Sequence, residues 1–546
     1  MSKLFVIAVG GTGMRCLESF VHLCAIGMFD SQEIEILTLD TDQTNGNKGR
    51  VEDLIRLYNR VKSSDTAEGG TANAGTFFSS KLNLFRFFTN YSGKGRETYK
   101  NLAQLSTGKE AQQKENKLIS DLFLDQHSVQ EFNLAHGYRA QTHLGSLLMY
   151  HGITEAARNI AKGVQVQPQE KELETFIAKL EQAGERARVF VFGSVFGGTG
   201  ASSIPVLPKA LKDFVQIRSA GKSSLDLSSV KFGATLLTEY FLFKKPDEQQ
   251  KATKEDSVIA DAAFFPLNSQ AALQFYQSDP TVQKSYKILY HIGWPIESKK
   301  VDGADAAKTI TGGADQKNAC HMVELLAACA AYDFFTRHTL LDVTKAEYLY
   351  KAASFSQNAF SFTADDLVGK NEQAGDLLAN KLGAFFSLAH ISLTTNGGAS
   401  GDLGIKAFIG RLQKQNIHLY DSIADAECEE LNNYFKHFAY TFDDQKFVPG
   451  WLYQLRQSIA PGNFIFNSKA FPDNKNELKN LDVGSIFSDD KHHWPKTLFN
   501  GRYDLFVSKL IESGPTGGQK VNTTREKFLA HLYNAISQSQ GFQIQS

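Results

Sequence analysis

Residues 4–9, Leu-Phe-Val-Ile-Ala-Val, form an unbroken apolar run with β-branched side chains, the pattern of a strand buried on both faces of a parallel sheet. Gly10, Gly11, Thr12 and Gly13 interrupt it. Met14, Leu17, Val21 and Cys24 then recur at three- and four-residue spacing, which predicts one apolar face of a helix. Residues 34–39 predict a second strand ending in Asp40, Thr41 and Asp42. Strand, crossover helix, strand is the βαβ unit of an open α/β sheet, so the fold class is α/β.

The pattern returns further along. Residues 188–195 predict another buried strand, running into Phe196, Gly197, Gly198, Thr199, Gly200, Ala201, Ser202 and Ser203. A helix is expected to open near Ile204, because Pro205 is tolerated in a first turn. Residues 231–238 and 288–293 predict two more strands, the first closed by Glu239 and the lysine-rich turn at 244–246. Residues 63–75 and 92–117 read as polar surface stretches, and a loop through Gly312 and Gly313 leads to a long apolar helix over 318–335. Beyond Thr339 helical segments alternate with glycine and polar breaks such as 394–404, with no repeat and no catalytic signature. This suggests an N-terminal α/β region over 1–310, a core helix over 311–340 and a C-terminal region over 341–546.

Composition narrows the function. A chain of 546 residues exceeds one folding unit, and 42% hydrophobic with 11% aromatic residues excludes wholesale disorder. Lys and Arg number 58 against 59 Asp and Glu, a net charge of -1, so nothing electrostatic recommends a nucleic-acid partner. Cys16, Cys24, Cys320, Cys329 and Cys428 are scattered, with no Cys-x-x-Cys, which argues against a disulfide framework or structural zinc and fits a reducing cytoplasm. The apolar start is too short for a signal sequence. The 322–335 stretch contains Glu324 and Asp333 and falls short of the roughly 20 residues a span requires, so no transmembrane segment is expected.

A glycine-rich turn between a buried strand and a helix lets backbone N–H groups approach an anion, at a helix end carrying partial positive charge. Gly10–Gly13 alone fits a tight structural turn, or a dinucleotide fingerprint with Asp40, although Arg15 occupies the phase where that fingerprint wants a small residue. A second strand–GGTG–helix junction at Gly197–Gly200 is hard to attribute to coincidence. Two such loops at the carboxyl ends of parallel strands can converge on one phosphate tail. Neither holds a Walker-A lysine, and Gly221-Lys222-Ser223 has Gln216 where a P-loop needs glycine. Backbone amides and the hydroxyls of Thr12, Thr199 and Ser202 are left as the phosphate holders.

These residues resemble the tubulin/FtsZ superfamily. Val9 to Gly13 is similar to its first nucleotide loop, and Leu39-Asp40-Thr41-Asp42 to the Asn-Thr-Asp ending the second strand in FtsZ. Residues 137–145, with Arg139, Ala140, Gln141 and Thr142, resemble the third loop. Gly197 to Ala201 matches part of the tubulin signature G-G-G-T-G-[ST]-G, and Leu237 to Phe243 resembles the FtsZ segment V-T-x-P-F-x-F. Phe196 replaces the signature's first glycine, Ala201-Ser202 stands in place of Ser/Thr-Gly, and the N-x-D-x-x-D hydrolysis loop is not found. The match covers roughly residues 4–335 and best suits a divergent prokaryotic tubulin-like branch. It implies a Rossmann-like GTPase domain, a long core helix and an enlarged C-terminal α/β domain. It further implies GTP or GDP with Mg2+, head-to-tail self-assembly into a homopolymer, and hydrolysis at the subunit contact.

Further residues carry two readings each. Asn268 suits a helix N-cap or the family's base-reading asparagine, and Asp315 and Asn318 suit caps or guanine contacts. Glu324 and Asp333 read as a solvated stripe or as catalytic acids offered to a neighbouring subunit. The 489–494 cluster Asp-Asp-Lys-His-His-Trp resembles a metal site in composition only, and Cys320 and Cys329 read as small core residues. Two rivals remain: a nucleotide-binding scaffold without hydrolysis, and an NAD(P)-dependent oxidoreductase using Gly10–Gly13 and Asp40.

Overall fold

A computed structural model describes residues 2–42, 44–63, 70–89, 118, 142–163, 166–220, 227–241, 262–294, 316–337, 347–351, 354–356, 359–361, 373–394, 405–443, 446–458 and 502–540. The expectations at 92–117, 137–141, 244–246, 312–315, 395–404 and 489–494 lie outside the described residues, Arg139, Ala140, Gln141 and Asp315 among them.

Seven parallel strands make one sheet in the order β3-β2-β1-β4-β5-β6-β7. They are β1 (Lys3–Val9), β2 (Glu33–Asp40), β3 (Lys81–Phe88), β4 (Ala187–Phe192), β5 (Lys231–Leu237), β6 (Tyr286–Ile292) and β7 (Glu347–Lys351). The continuous apolar runs expected for doubly covered strands occupy the centre: β1 and β4 are buried along nearly their whole length. The sheet also runs past the boundary expected at residue 340, since β7 pairs with β6 from Ile288↔Glu347 to Ile292↔Lys351.

Helices cover both faces. In chain order they are α1 (Gly10–Ala25), α2 (Gly46–Lys62), α3 (Thr142–Lys162), α4 (Pro168–Ala183), α5 (Thr199–Ser203), α6 (Leu207–Arg218), α7 (Phe265–Ser278), α8 (Pro280–Ser285) and α9 (Met322–Thr336). The remainder are α10 (Ala374–Thr394), α11 (Ile405–Lys414), α12 (Asp425–Phe438), α13 (Trp451–Gln457), α14 (Arg502–Glu512) and α15 (Thr524–Gln540). Two short antiparallel pairs, β8 (Ser354–Ser356) with β9 (Ala359–Ser361) and β10 (Tyr440–Asp443) with β11 (Lys446–Pro449), and two 3-10 turns, Gly184–Arg186 and Ala262–Phe264, complete the described elements.

One core joins α1, α2 and α9 with the C-terminal helices, through Phe20, Phe29, Phe78, Phe385, Tyr434 and Trp451. The other packs α3, α4 and α6 on the opposite face, through Phe5, Phe176, Leu180 and Phe214. Each such buried side chain contributes about 1.5–3 kcal/mol by leaving water. The C-terminal region shares the first core, and polar clips fasten it as well. Arg60 of α2 pairs with Glu430 of α12 at 3.0 Å, the buried Lys62 ammonium with Glu526 of α15 at 3.9 Å, and Glu526 accepts from Thr71 N at 2.9 Å.

Two boundaries differ from expectation. The helix expected near Ile204 opens at Thr199, lasts five residues and stops before Pro205; α6 then starts at Leu207. The apolar helix expected from Asn318 begins only at Met322. His321 caps it through Nδ1, which accepts from Val323 N at 3.2 Å, and Glu324 reaches back to His321 N at 2.9 Å. No helix among the described residues is long and apolar enough to cross a membrane.

Candidate functional site

In this strand order the chain leaves β1 toward β2 on one side and β4 toward β5 on the other, so the carboxyl ends of β1 and β4 border the topological switch point. Register aligns the two strands, with Ala8 beside Phe192. Both glycine turns therefore leave the sheet at one level and touch: a Cβ built on Gly10 would lie 2.9 Å from Thr199 Cβ. Gly10 has φ +66°, the left-handed region that favours glycine. Gly13 and Gly200 are glycines for packing. A Cβ on Gly13 would stand 2.5 Å from the Phe192 carbonyl oxygen, and one on Gly200 2.7 Å from that of Ser194.

These contacts leave Gly11, Thr12, Gly197, Gly198 and Thr199 half-buried at the switch point. No side chain caps α1. A 16-residue helix thus points its first-turn amides and positive dipole end at the switch point.

One wall is the end of β2. Asp40 is buried and accepts from Thr41 N at 2.8 Å, Asp42 N at 3.3 Å and Asn45 Nδ2 at 3.1 Å. Burial, then the neighbouring Asp42, pushes its carboxyl up to about 7, against the opposing charge of Lys48. Asn45 also caps α2, accepting from Asn47 N at 2.9 Å. The far side is aromatic: Phe196 packs on Phe265 at 5.0 Å between centroids and on Phe241 at 5.4 Å.

Residues 316–320 cross beside the first turn as a strap. Arg15 Nη2 donates to the Ala319 carbonyl at 2.6 Å, and Arg50 Nη1 to that of Asn318 at 2.7 Å. Asn318 N donates to Asn47 Oδ1 at 3.1 Å, and Cys320 N to Gln454 Oε1 of α13 at 2.9 Å. Behind the strap Arg15 pairs with Glu324 at 2.6 Å and Arg50 with Glu18 at 2.6 Å. Burial pushes the Glu324 carboxyl upward, against the Arg15 charge, His321 N–H and the Tyr240 hydroxyl. His321 is driven down to about 3 by burial and by Arg15.

No protein-family model matches the chain, and no curated protein shows detectable similarity to it. The functional reading therefore rests on this fold and this geometry.

The structure brings Gly10, Gly11, Thr12, Gly13, Asp40, Gly197, Gly198 and Thr199 to the switch point, and corrects several expectations around them. Ser202 is fully buried, and its hydroxyl donates to the Gly198 and Thr142 carbonyls, so it is spent inside the turn and cannot hold a phosphate. Ala201 is buried, with its carbonyl accepting from Tyr276 at 2.6 Å. Asn268 is not an N-cap: α7 begins at Phe265, and the amide donates to the Phe196 carbonyl at 3.5 Å. Glu239 is buried and accepts from Ser269 Oγ at 2.7 Å. Asn318 is no cap either, because its backbone is held in the strap. Its side chain makes no hydrogen bond among the described residues.

Glu324 and Asp333 form no solvated stripe. Glu324 is fully buried against Arg15, and Asp333 accepts from Tyr290 at 2.7 Å and from Arg337 at 2.6 Å. Arg15, awkward in the glycine fingerprint, is explained as the partner of Glu324 and the strap. Their separation of 309 positions left no local signal. Asn45, placed before a helix after two aspartates, carried an N-cap signature that locates it beside Gly11.

Proposed function

We propose that this chain is a guanine-nucleotide-binding protein on the plan of the tubulin/FtsZ superfamily, with GTP or GDP seated at the switch point and its phosphates on the first turn of α1. One observation carries the reading. Two Gly-Gly-Thr-Gly turns meet at the ends of β1 and β4, beside an uncapped 16-residue helix, where open α/β sheets bind ligands. The order β3-β2-β1-β4 and the apolar helix α9 beside α1 agree with the resemblance. Guanine preference falls to the side-chain amide of Asn318, which makes no hydrogen bond among the described residues. Mg2+ would be held chiefly by the phosphates, since no group of three or more His, Cys, Asp or Glu among the described residues is placed to bind a metal.

The oxidoreductase reading is the less favoured. Asp40 would have to bind ribose hydroxyls, yet three of its roughly four acceptor sites are already taken by Thr41 N, Asp42 N and Asn45 Nδ2. Head-to-tail self-assembly belongs to the proposal. The burial of Glu324 and Asp333 in ion pairs favours a scaffold that binds nucleotide without these acids catalysing hydrolysis. Titration with fluorescent GTP, competed by GTP, ATP and NAD, tests the reading. GTP should compete at least about tenfold better than ATP, because a mismatched base leaves polar groups unpaired at about 1–3 kcal/mol each. Equal displacement by ATP removes the guanine assignment, and tight NAD binding restores the oxidoreductase. Electron microscopy with GTP, GDP and no nucleotide tests assembly.

A further inference from the structure

Resting on that reading, we propose that Gln316 is a phosphate-side binding residue, its carboxamide donating an N–H to the anion seated on the first turn of α1. The geometry begins at Gly11. A Cβ built there would lie 3.4 Å from Gln316 Oε1 and 3.5 Å from Nε2, with Asn45 Nδ2 at 3.2 Å on another side. Two side-chain amides thus converge on the second residue of an uncapped helix, the position whose own N–H faces an N-terminal anion.

The two amides differ in what they are free to do. Asn45 is committed, since Nδ2 donates to Asp40 and Oδ1 caps α2. Gln316 makes no hydrogen bond among the described residues and is half-buried. The strap presents it. Residues 316, 318 and 320 are the more buried and 317 and 319 the exposed ones, the period of two of an extended chain, so Gln316 shares the inward side with Asn318 and Cys320. The backbone of that strap is pinned by Arg15, Arg50, Asn47 and Gln454, so little remains to be ordered when a ligand arrives. A second observation concerns Asn47, which is almost fully buried and holds the strap through Oδ1, while its Nδ2 has no hydrogen-bond partner among the described residues. A buried donor without a partner among the described residues calls for an acceptor from outside them, and a bound anion is one.

The test compares a charged ligand with its uncharged core. Binding of GTP, GMP and guanosine to the full chain is measured by calorimetry for wild type, Gln316→Ala and Gln316→Glu, with circular dichroism to check folding. Removing one charge-assisted hydrogen bond should weaken GTP about tenfold in Gln316→Ala. A carboxylate against the phosphate should cost GTP a further factor of about ten in Gln316→Glu, while guanosine stays within about twofold. Equal GTP binding by all three proteins overturns the assignment. So does a loss of guanosine as large as the loss of GTP, which would make Gln316 a base contact or a structural prop. If Gln316→Glu does not fold, Gln316→Asn, shorter by one methylene and uncharged, is judged by the same comparison. If wild type binds none of the three ligands, the nucleotide reading itself falls, a result distinct from wild-type binding that the variants leave unchanged.

Discussion

The two glycine turns share one tetrapeptide and one place at the end of a parallel strand, yet they are built for different work. The first opens a helix of 16 residues, has no side-chain cap, and is flanked by the amides of Asn45 and Gln316. The second opens a helix of five residues and turns its hydroxyls inward: Ser202 donates to Gly198 and Thr142, and Ser203 to Thr199 at 2.7 Å. Its approach is laced to β5, with Gly193 N donating to Thr235 Oγ1 at 3.0 Å and Val195 N to the Leu237 carbonyl at 2.9 Å. What the turns have in common is packing, because Gly13 and Gly200 each let a helix start sit on the end of β4. A repeated glycine motif therefore reports close packing first. Only the unsatisfied groups beside it distinguish a seat from a wall.

The largest effect expected comes from the support beneath the seat. Arg15→Met leaves Glu324 buried with its charge uncompensated, which costs about 3–5 kcal/mol. The double variant Arg15→Met/Glu324→Gln should recover much of that stability, because the uncompensated carboxylate is gone. Denaturant unfolding of the three proteins measures this. If Glu324→Ala instead leaves stability untouched and poisons the activity of mixed assemblies, Glu324 acts at a subunit contact and its burial here misleads. Next comes Gly13→Ala, whose new Cβ meets the Phe192 carbonyl at 2.5 Å, and which should cost about 3 kcal/mol through backbone displacement. Gly11→Ala is its control. Its closest neighbours, at 3.2–3.5 Å, are side-chain amides that can shift, so the fold should hold.

The comparison is sharpest where a variant separates binding from folding. Gly198 has φ -73° and ψ -67°, values open to any residue, so Gly198→Val adds bulk over the half-buried second turn without straining the backbone. The serine hydroxyls of this turn are spent, but its half-buried backbone lies against Gly10, and losing two charge-assisted hydrogen bonds from its amides, at about 1.5–3 kcal/mol each, would weaken GTP by two orders of magnitude or more. Unchanged affinity for fluorescent GTP in a folded Gly198→Val protein would reduce the second turn to packing alone.

How much of this was legible follows the range of the signal. Runs of buried β-branched residues and the helix spacing after Gly13 are local, and they located β1, α1, β2, β4, β5 and β6 within a few residues. The start of α9 was not legible at Asn318, because apolar composition continues there while Arg15 and Arg50, some three hundred residues earlier, hold the backbone extended. Ser202 looked like a phosphate ligand by type, and only its bond back to the Gly198 carbonyl shows the hydroxyl to be spent. Glu324 and Asp333 interrupt an apolar helix as a solvated stripe would. Their partners, Arg15 on α1 and Tyr290 on β6, come from elements that the spacing on α9 does not reveal. Local pattern gives elements and loops, and partners decide what each polar residue does.

The smallest expected effect is a pH dependence confined to the wall beside the first turn. Asp40 titrates at about 7 in the folded chain and near 3.8 when unfolded, chiefly because burial disfavours its charge. Between those values the folded state holds the proton more tightly. Its contribution to stability is therefore greatest at low pH, declines as pH rises from about 4 to about 7, and is level above that. The opposite slope comes from His321, held neutral with a value of about 3, so stability is lost as pH falls from about 6.5 toward 3. The two overlap in wild type, and a variant separates them. Asp40→Asn keeps an acceptor for Thr41 N and Asp42 N and removes the charge. It should gain about 1–2 kcal/mol over wild type at pH 8 and nothing near pH 4, measured as the difference between urea unfolding curves. A difference of equal size at both pH values would show that the substitution acts through the Asn45 bond, and that Asp40 is ionised in the folded chain well below neutrality.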